Sequence, residues 1–487
     1  MTERANPGPV DVAVVGAGHV GLVSATCLAI AGHRVRVYDV DSLRVAQIIA
    51  GKVPFLEPGL GELLARARAA ERISFHDRPD EALRASSVAF LCVNTPNRLE
   101  GGVDLSAVVD ASRHVASHAP DGAVLVNRST APVGTAQFIR TIVWDQRGPA
   151  ISVATNPEFL AEGTAIRDFL APDRIVIGAW DAVSSSRVLD VYDPIVSRRL
   201  PPKIAALLDG ALRPASGRIP VVVTDPPTAE LTKYAANSFL AVKVSFINEI
   251  ASIAEQLGAD TQEVARAIGL DHRIGSSFLR PGIGWGGSCF PKDIVALQGM
   301  AEIRGIPARM LRAAHEVNTE QRQWVIRKLH AHLRTLVGRR IGLLGLSFKA
   351  GTDDVRNAPA LEIASDLVKA GVEVRAFDPA VSTLPEEARG SVETVGDAIS
   401  LARGADALVV VTEWPEFAAL DLAQLREVMR VPLLLDGRNL LDRDAAEDAG
   451  LVYVAVGRPS DPWAAFAMEG NGSSRAMRVD TGAVAES

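Results

Sequence analysis

The sequence predicts an α/β protein in which two Rossmann-like, doubly wound domains are joined by a central helical domain with one long helix. Three observations support this. A short apolar run, Asp11–Val15, leads into Gly16-Ala17-Gly18-His19-Val20-Gly21, a helical stretch, and a second strand, Arg34–Tyr38, that ends on Asp39. Beyond residue 339 the same pattern restarts, and Gly371-Val372-Glu373-Val374-Arg375-Ala376-Phe377-Asp378 repeats the spacing of Gly32-His33-Arg34-Val35-Arg36-Val37-Tyr38-Asp39. Between them, residues 229–257 hold neither Pro nor Gly and pattern as a single helix.

Strand, glycine turn, helix, strand and acid form the opening of a dinucleotide-binding βαβ unit. Apolar runs at 88–93, 123–126 and 175–177 read as buried strands with helical patterns between them. Such alternation implies a parallel sheet covered on both faces. Residues 182–227 contain Ser184-Ser185-Ser186, Pro201-Pro202 and Pro226-Pro227, and read as the end of the first domain and a connection with some helix. Helical pattern continues to about 336, broken by a glycine-rich segment at 282–291. A strand then opens at 341, and the run at 407–411 echoes that at 88–93. The expected domains are 1–205, 206–336 and 337–465, with a Gly/Ser-rich disordered tail at 466–487.

At 487 residues the chain is long enough for two to four domains. Its net charge of −7 argues against a nucleic-acid partner, which usually meets a basic surface. Three cysteines, Cys27, Cys92 and Cys289, do not read as a disulfide framework. No apolar stretch reaches the roughly 20 residues of a membrane span, and no secretory leader is recognisable. A cytoplasmic protein without nucleic-acid or membrane partners is expected.

Gly16 permits the tight turn, Gly18 lets backbone approach a pyrophosphate, and Gly21 lets the helix pack close to the sheet. Asp39 would bond ribose hydroxyls and repel a 2′-phosphate, favouring NAD over NADP. The second motif is Gly284-Trp285-Gly286-Gly287-Ser288-Cys289-Phe290-Pro291-Lys292-Asp293. Pro291 suits the first turn of a helix, so Cys289 stands just before its N-terminus with Lys292 nearby, and both features lower a thiol pKa. Asp293 lies one turn on. Cys27 and Cys92 sit in apolar runs and read as core.

Lys233 and Asn237 are four apart on the long helix and share a face, where a cation and an amide can stabilise an oxyanion. Residues 156–162 follow a strand and place Glu158 and Glu162 near the sheet's C-terminal edge, where doubly wound folds bind ligands. Ser129-Thr130-Ala131-Pro132 is a strand-to-helix turn of the same kind. Lys349 and Arg356 follow the first strand of the last domain, and Arg438 a later one. These cations can reach a diphosphate. No metal site is expected.

In this order, the motifs resemble those of the UDP-glucose/GDP-mannose dehydrogenase family over roughly residues 12–458. The most specific element is Gly286-Gly287-Ser288-Cys289-Phe290-Pro291-Lys292-Asp293, supported by 156–162, 229–249 and 345–356. The resemblance implies NAD against Gly16, Gly18, His19, Val20, Gly21, Asp39, Arg44, Thr95, Pro96, Thr130, Glu162 and Lys292. It implies a catalytic set of Thr130, Glu158, Glu162, Lys233, Asn237, Cys289 and Asp293. For a nucleotide sugar such as UDP-glucose it implies contacts from Glu158, Phe159, Leu160, Lys233, Asn237, Arg273, Phe278, Gly286, Lys349 and Arg438. In the family, the position of Arg273 reaches a neighbouring subunit, which implies at least a dimer. Asn94-Thr95-Pro96 departs from the commoner Gly-Thr-Pro. The implied reaction is oxidation of a sugar C6 alcohol to the acid through a Cys289 thiohemiacetal and thioester. GDP-mannose or another nucleotide sugar is the close alternative. A two-electron hydroxyacid-type dehydrogenase, which would not need Cys289, and a non-catalytic ligand sensor, which would reduce no NAD, are the other classes.

Overall fold

The computed structural model describes residues 8–98, 102–201, 204 and 218–459. The expected tail at 466–487 lies outside these residues. Two sheets organise the chain. The first has the order β3-β2-β1-β4-β5-β6-β7-β8. Its strands are β1 (Asp11–Val15), β2 (Arg34–Tyr38), β3 (Ile73–His76), β4 (Val88–Leu91), β5 (Val124–Asn127), β6 (Ser152–Thr155), β7 (Ile175–Ala179) and β8 (Val221–Thr224). The second has the order β11-β10-β9-β12-β13-β14. It is built from β9 (Arg340–Leu344), β10 (Glu373–Phe377), β11 (Val392–Thr394), β12 (Ala407–Val410), β13 (Leu433–Asp436) and β14 (Val452–Ala455). The first six strands of each sheet follow the 3-2-1-4-5-6 winding of dinucleotide-binding domains.

Alternation along each strand explains both layers. Val12 and Val14 enter one core with Val35, Val37 and Phe90. Ala13 and Val15 enter another, on the opposite face, with Ala89, Leu91 and Leu125. In the second sheet Ile341 and Leu343 pack on one side and Leu344, Leu408 and Val410 on the other. Successive strand residues point to opposite faces, so continuous apolar runs are needed when both faces are covered.

The first sheet is not wholly parallel. β7 runs antiparallel to β6, and β8 pairs parallel with β7. Part of the expected connection is therefore sheet, and helix Ala182–Val196 precedes it. β8 is an edge strand, and Val222 and Val223 are about half exposed on it.

The long helix, Pro226–Leu257, starts where Asp225 accepts the Thr228 N–H and ends at Gly258, whose φ is 72°. At 1.5 Å per residue it spans about 48 Å. It leaves the first sheet beside β7, and its far end places Ala251 in one core with Ile283, Trp324 and the last domain's Ile341. One helix thus joins both sheets.

Candidate active site

The cofactor-side turn is built for close approach. A Cβ on Gly16 would sit 2.5 Å from the Cys92 carbonyl oxygen, and one on Gly21 would sit 1.9 Å from the Gly16 carbonyl oxygen. Gly18 instead faces open space, with nothing within 4 Å of where a Cβ would be. That is the place a pyrophosphate needs, at the N-terminus of helix His19–Ile30. Asp39 accepts the Ala17 N–H at 2.6 Å and the Asp41 N–H at 2.9 Å, with Arg44 at 3.3 Å. The residues present fit NAD.

His19 Nε2 pairs with Glu57 at 2.9 Å, and Glu57 also accepts the Gly163 and Ala165 N–H groups. The glycine turn is thereby tied to the loop that carries Glu162. No motif pointed to Glu57, because the two N–H groups it accepts lie over a hundred residues away. Thr95 donates to the Thr130 carbonyl at 2.6 Å, and Pro96 accepts the Asp104 N–H. Val20 sits half buried in the helix's first turn.

The corresponding acid of the second sheet is not available to a ribose. Asp378 Oδ2 takes donors from Leu346 N, Ser347 N, Ser347 Oγ and Trp414 Nε1. Its other oxygen accepts Ala380 N and Val381 N. Gly345 keeps the tight turn, with φ 106° and a would-be Cβ 2.3 Å from Thr412, but the acid serves the fold. The two sheets share a winding and differ in ligand chemistry.

The long helix brings Lys233 and Asn237 together with three other elements. Lys233 Nζ stands 2.9 Å from Glu158 Oε1, both buried, with the Phe159 ring beside it. Burial works against the charge on Lys233, yet Glu158, Cys289 and Asp293 raise its pKa above the ordinary lysine value. Burial likewise pushes Glu158 up, but Lys233 and the Leu160 N–H hold it below the ordinary carboxylate range. Asn237 Nδ2 donates to Asp293 Oδ2 at 2.6 Å, and Lys292 Nζ stands 3.1 Å from Oδ1. Lys292 also reaches the Thr130 carbonyl at 3.4 Å.

Cys289 caps helix Phe290–Glu302, as Pro291 led us to expect. It is the exposed cysteine, while Cys27 and Cys92 are buried. The expected lowering of its thiol pKa is corrected. The protein crowded around the sulfur pushes the thiol up, Lys233 pulls it down, and Glu158 and Asp293 add to the upward push. The helix start and Lys292 are local to Cys289, whereas the burial that outweighs them comes from elements brought in by the fold.

Glu162 accepts Ser288 Oγ at 3.3 Å and Thr352 Oγ1 at 3.0 Å, bridging the cysteine loop to the last domain. Burial and Asp354 raise its pKa. Gly286 and Gly287 are glycines because the last domain leaves no room for more. A Cβ on the former would lie 2.2 Å from the Asn357 carbonyl oxygen, and one on the latter 2.8 Å from the Phe348 ring. Lys349 is largely buried, and burial lowers its pKa despite Glu162 and Asp168. Arg438 donates to the Gly284 and Val411 carbonyls. Phe278 holds φ 63° and packs toward Phe290. Leu160 packs on the first core. Arg273 is different. It is exposed and paired with Asp271, and among the described residues no hydrogen bond or ion pair ties it to this cluster.

A glycine turn closed by the Asp39 carboxylate, a buried Lys–Glu pair and a thiol at a helix start fit an NAD-dependent oxidoreductase with a second α/β domain. Sequence models of the UDP-glucose/GDP-mannose dehydrogenase family match residues 10–196 as its NAD binding domain, 227–320 as its central domain and 342–443 as its UDP binding domain. The chain belongs to this family. It is 40% identical to a UDP-glucose 6-dehydrogenase of Rhizobium meliloti, over 92% of this chain and 99% of that one. It is 38% identical to UDP-glucose 6-dehydrogenase TuaD of Bacillus subtilis, over 92% and 93%. Among solved structures, a UDP-glucose dehydrogenase from Pyrobaculum islandicum superposes with a TM-score of 0.81 at 36% identity, covering 94% of this chain and all of that one.

Proposed function

We propose that the enzyme oxidises the C6 hydroxymethyl group of UDP-glucose to the carboxylate of UDP-glucuronate through a thioester on Cys289. The arrangement that carries this is a thiol beside a buried, ionised Lys233–Glu158 pair and the Asn237–Asp293 pair. A two-electron dehydrogenase has no use for that thiol. The relatives named for UDP-glucose support the substrate.

NAD held at the glycine turn would accept one hydride from C6 in each of two oxidations, a second molecule replacing the first. In the first oxidation the C6 hydroxyl proton leaves through a water held by Thr130 and Glu158 to give the aldehyde. Lys233 and Asn237 hold the C6 oxygen as negative charge develops on it. The Cys289 sulfur adds to the aldehyde carbon, its proton ends on the former carbonyl oxygen, and a thiohemiacetal forms. Loss of the C6 hydride and the hydroxyl proton leaves the thioester. Asp293, Glu158 and Thr130 position a water that attacks the carbonyl. The C–S bond breaks, the thiol is restored and the acid leaves with release of a proton. Glu162 positions the cysteine loop through Ser288. Phe159, Leu160, Phe278, Gly286, Lys349 and Arg438 hold the nucleotide sugar.

The active form is proposed to be at least a dimer built on the long helix. Phe239, Phe246 and Ile253 recur every seven residues on it and are each about half exposed. A second copy on that stripe would bring Arg273 to the site, completing it. Counting NADH per sugar across a panel of nucleotide sugars tests the function. About two NADH per UDP-glucose are expected, because covalent trapping takes the alcohol to the acid. One NADH per sugar, or full acid formation by Cys289→Ser, refutes the covalent route. A stronger response to GDP-mannose refutes the substrate.

A further inference from the structure

Glu230 lies one turn before Lys233 on the long helix and is buried. Its two carboxylate oxygens accept the N–H groups of Gly134 and Ala136, each at 2.7 Å. Those donors open helix Thr135–Arg147, so one side chain fastens the long helix to the turn that carries Thr130. Glu230, Lys233, Ser129, Thr130 and Thr155 also line a cavity of about 10 Å³. That is about the room one water needs. The same turn supplies the Thr130 carbonyl that Thr95 and Lys292 bond.

We propose that Glu230 is a positioning residue for the oxidation: as a carboxylate it holds Thr130 across the one-water cavity from Lys233, and as a neutral acid it lets that turn slip. This rests on Thr130 and Lys233 acting as proposed above. A carboxylate accepts both N–H bonds. A protonated acid turns its O–H toward one of the two donors and loses that bond. Burial pushes Glu230 up to about 7 despite both hydrogen bonds, so the exchange falls in the working range of the enzyme. On its own helix the ionisable neighbours are Lys233, already paired with Glu158, and Tyr234. Tyr234 Oη has no hydrogen-bond partner among the described residues and feels both Glu230 and Asp293. Helix Phe290–Glu302 packs on the other side of the turn, where Met300 Sδ accepts the Val133 N–H and Lys292 reaches the Thr130 carbonyl.

The test is kcat against pH for wild type, Glu230→Gln and Glu230→Asp, on a nucleotide sugar that wild type oxidises. Wild-type kcat should fall as the pH drops through about 7. Glu230→Gln cannot accept both N–H groups, so at pH 8 its kcat should be at least about tenfold lower and flat across that range. Its KM for the sugar nucleotide should stay within about twofold, because the nucleotide is held elsewhere. Glu230→Asp keeps the charge with a shorter reach, and should give an intermediate kcat and a displaced acidic limb. Wild-type kcat in Glu230→Gln, or a lowered kcat with the limb unmoved, overturns the proposal. If Glu230→Gln shows no cooperative melt by circular dichroism, Glu230→Asp decides alone: an undisplaced limb overturns it. A wild type that oxidises another nucleotide sugar but not UDP-glucose removes the substrate reading and leaves this comparison intact on the sugar it does oxidise.

Discussion

Asn237 Nδ2 donates to Asp293 Oδ2 at 2.6 Å, joining the long helix to the helix that Cys289 caps. Both side chains are buried, and no water can easily replace the bond. Asn237→Ala should therefore do two things. The carboxylate left short of a donor should lower stability by roughly 1–3 kcal/mol. Loss of the donor proposed to hold the C6 oxyanion should lower kcat by about 10²-fold or more. Urea unfolding and NADH initial rates check both. A variant with wild-type kcat and reduced stability would make Asn237 a structural residue alone.

Glu158 and Lys233 set a second expectation, in pH. The folded pKa of Glu158 lies below its ordinary value of 4.5, so its contribution to stability is present above about 4.5 and is lost as the pH falls through the folded value. The folded pKa of Lys233 lies above 10.5, so its contribution is present below about 10.5 and is lost as the pH rises through the folded value. Between these limits the pair should add no slope. Glu158→Gln removes one partner and leaves a buried cation, at a cost of roughly 3–5 kcal/mol. Chemical denaturation at pH 6, 7 and 8 should give the same difference from wild type each time. A difference that varies steeply across that range would contradict the ionised pair.

Asp378 gives a third prediction. Trp414 Nε1 is one of four donors on its Oδ2. Trp414→Phe keeps most of the packing and removes that one bond, so stability should drop by about 1 kcal/mol. NAD binding should not change, because the acid proposed to meet the ribose is Asp39 in the other sheet. A titration in which Trp414→Phe gained a second NAD per chain would show that the second turn is only masked by the indole.

How much of this was legible follows the distance over which each feature is made. The glycine turn, Asp39 and the Cys289 helix start are local, and sequence marks them because backbone geometry within a few residues demands particular side chains. Glu57 and Glu230 are invisible to such reading, since the N–H groups they satisfy lie 106 and 94 residues away. β8 was missed because its Val221-Val222-Val223 run lies inside the Pro- and Ser-containing stretch 182–227, which read as a connection. The direction of the Cys289 thiol shift was misjudged for the same reason as Glu230 was overlooked. Burial by protein brought in from elsewhere in the chain, with Glu158 adding to it, outweighed the pull of Lys233 and of the helix start.

The glycines of the first turn separate fold from function most cleanly. Gly18 has φ −72°, which any residue adopts, and a methyl there meets nothing within 4 Å. Gly18→Ala should fold with wild-type stability or gain up to about 1 kcal/mol from reduced unfolded-state freedom. Yet the methyl would stand where a pyrophosphate must approach, so the KM for NAD should rise by at least about tenfold, while the sugar nucleotide still binds. Gly21→Ala is the opposite case. Its methyl would lie 1.9 Å from the Gly16 carbonyl oxygen, a backbone atom that cannot swing aside. Helix His19–Ile30 would have to move off the sheet, and stability should fall by several times the Gly18→Ala change. Melting temperature and NAD titration on the two variants read these effects independently. A Gly18→Ala protein that bound NAD normally would mean the pyrophosphate does not cross that turn, and the cofactor would have to be placed elsewhere along the sheet edge.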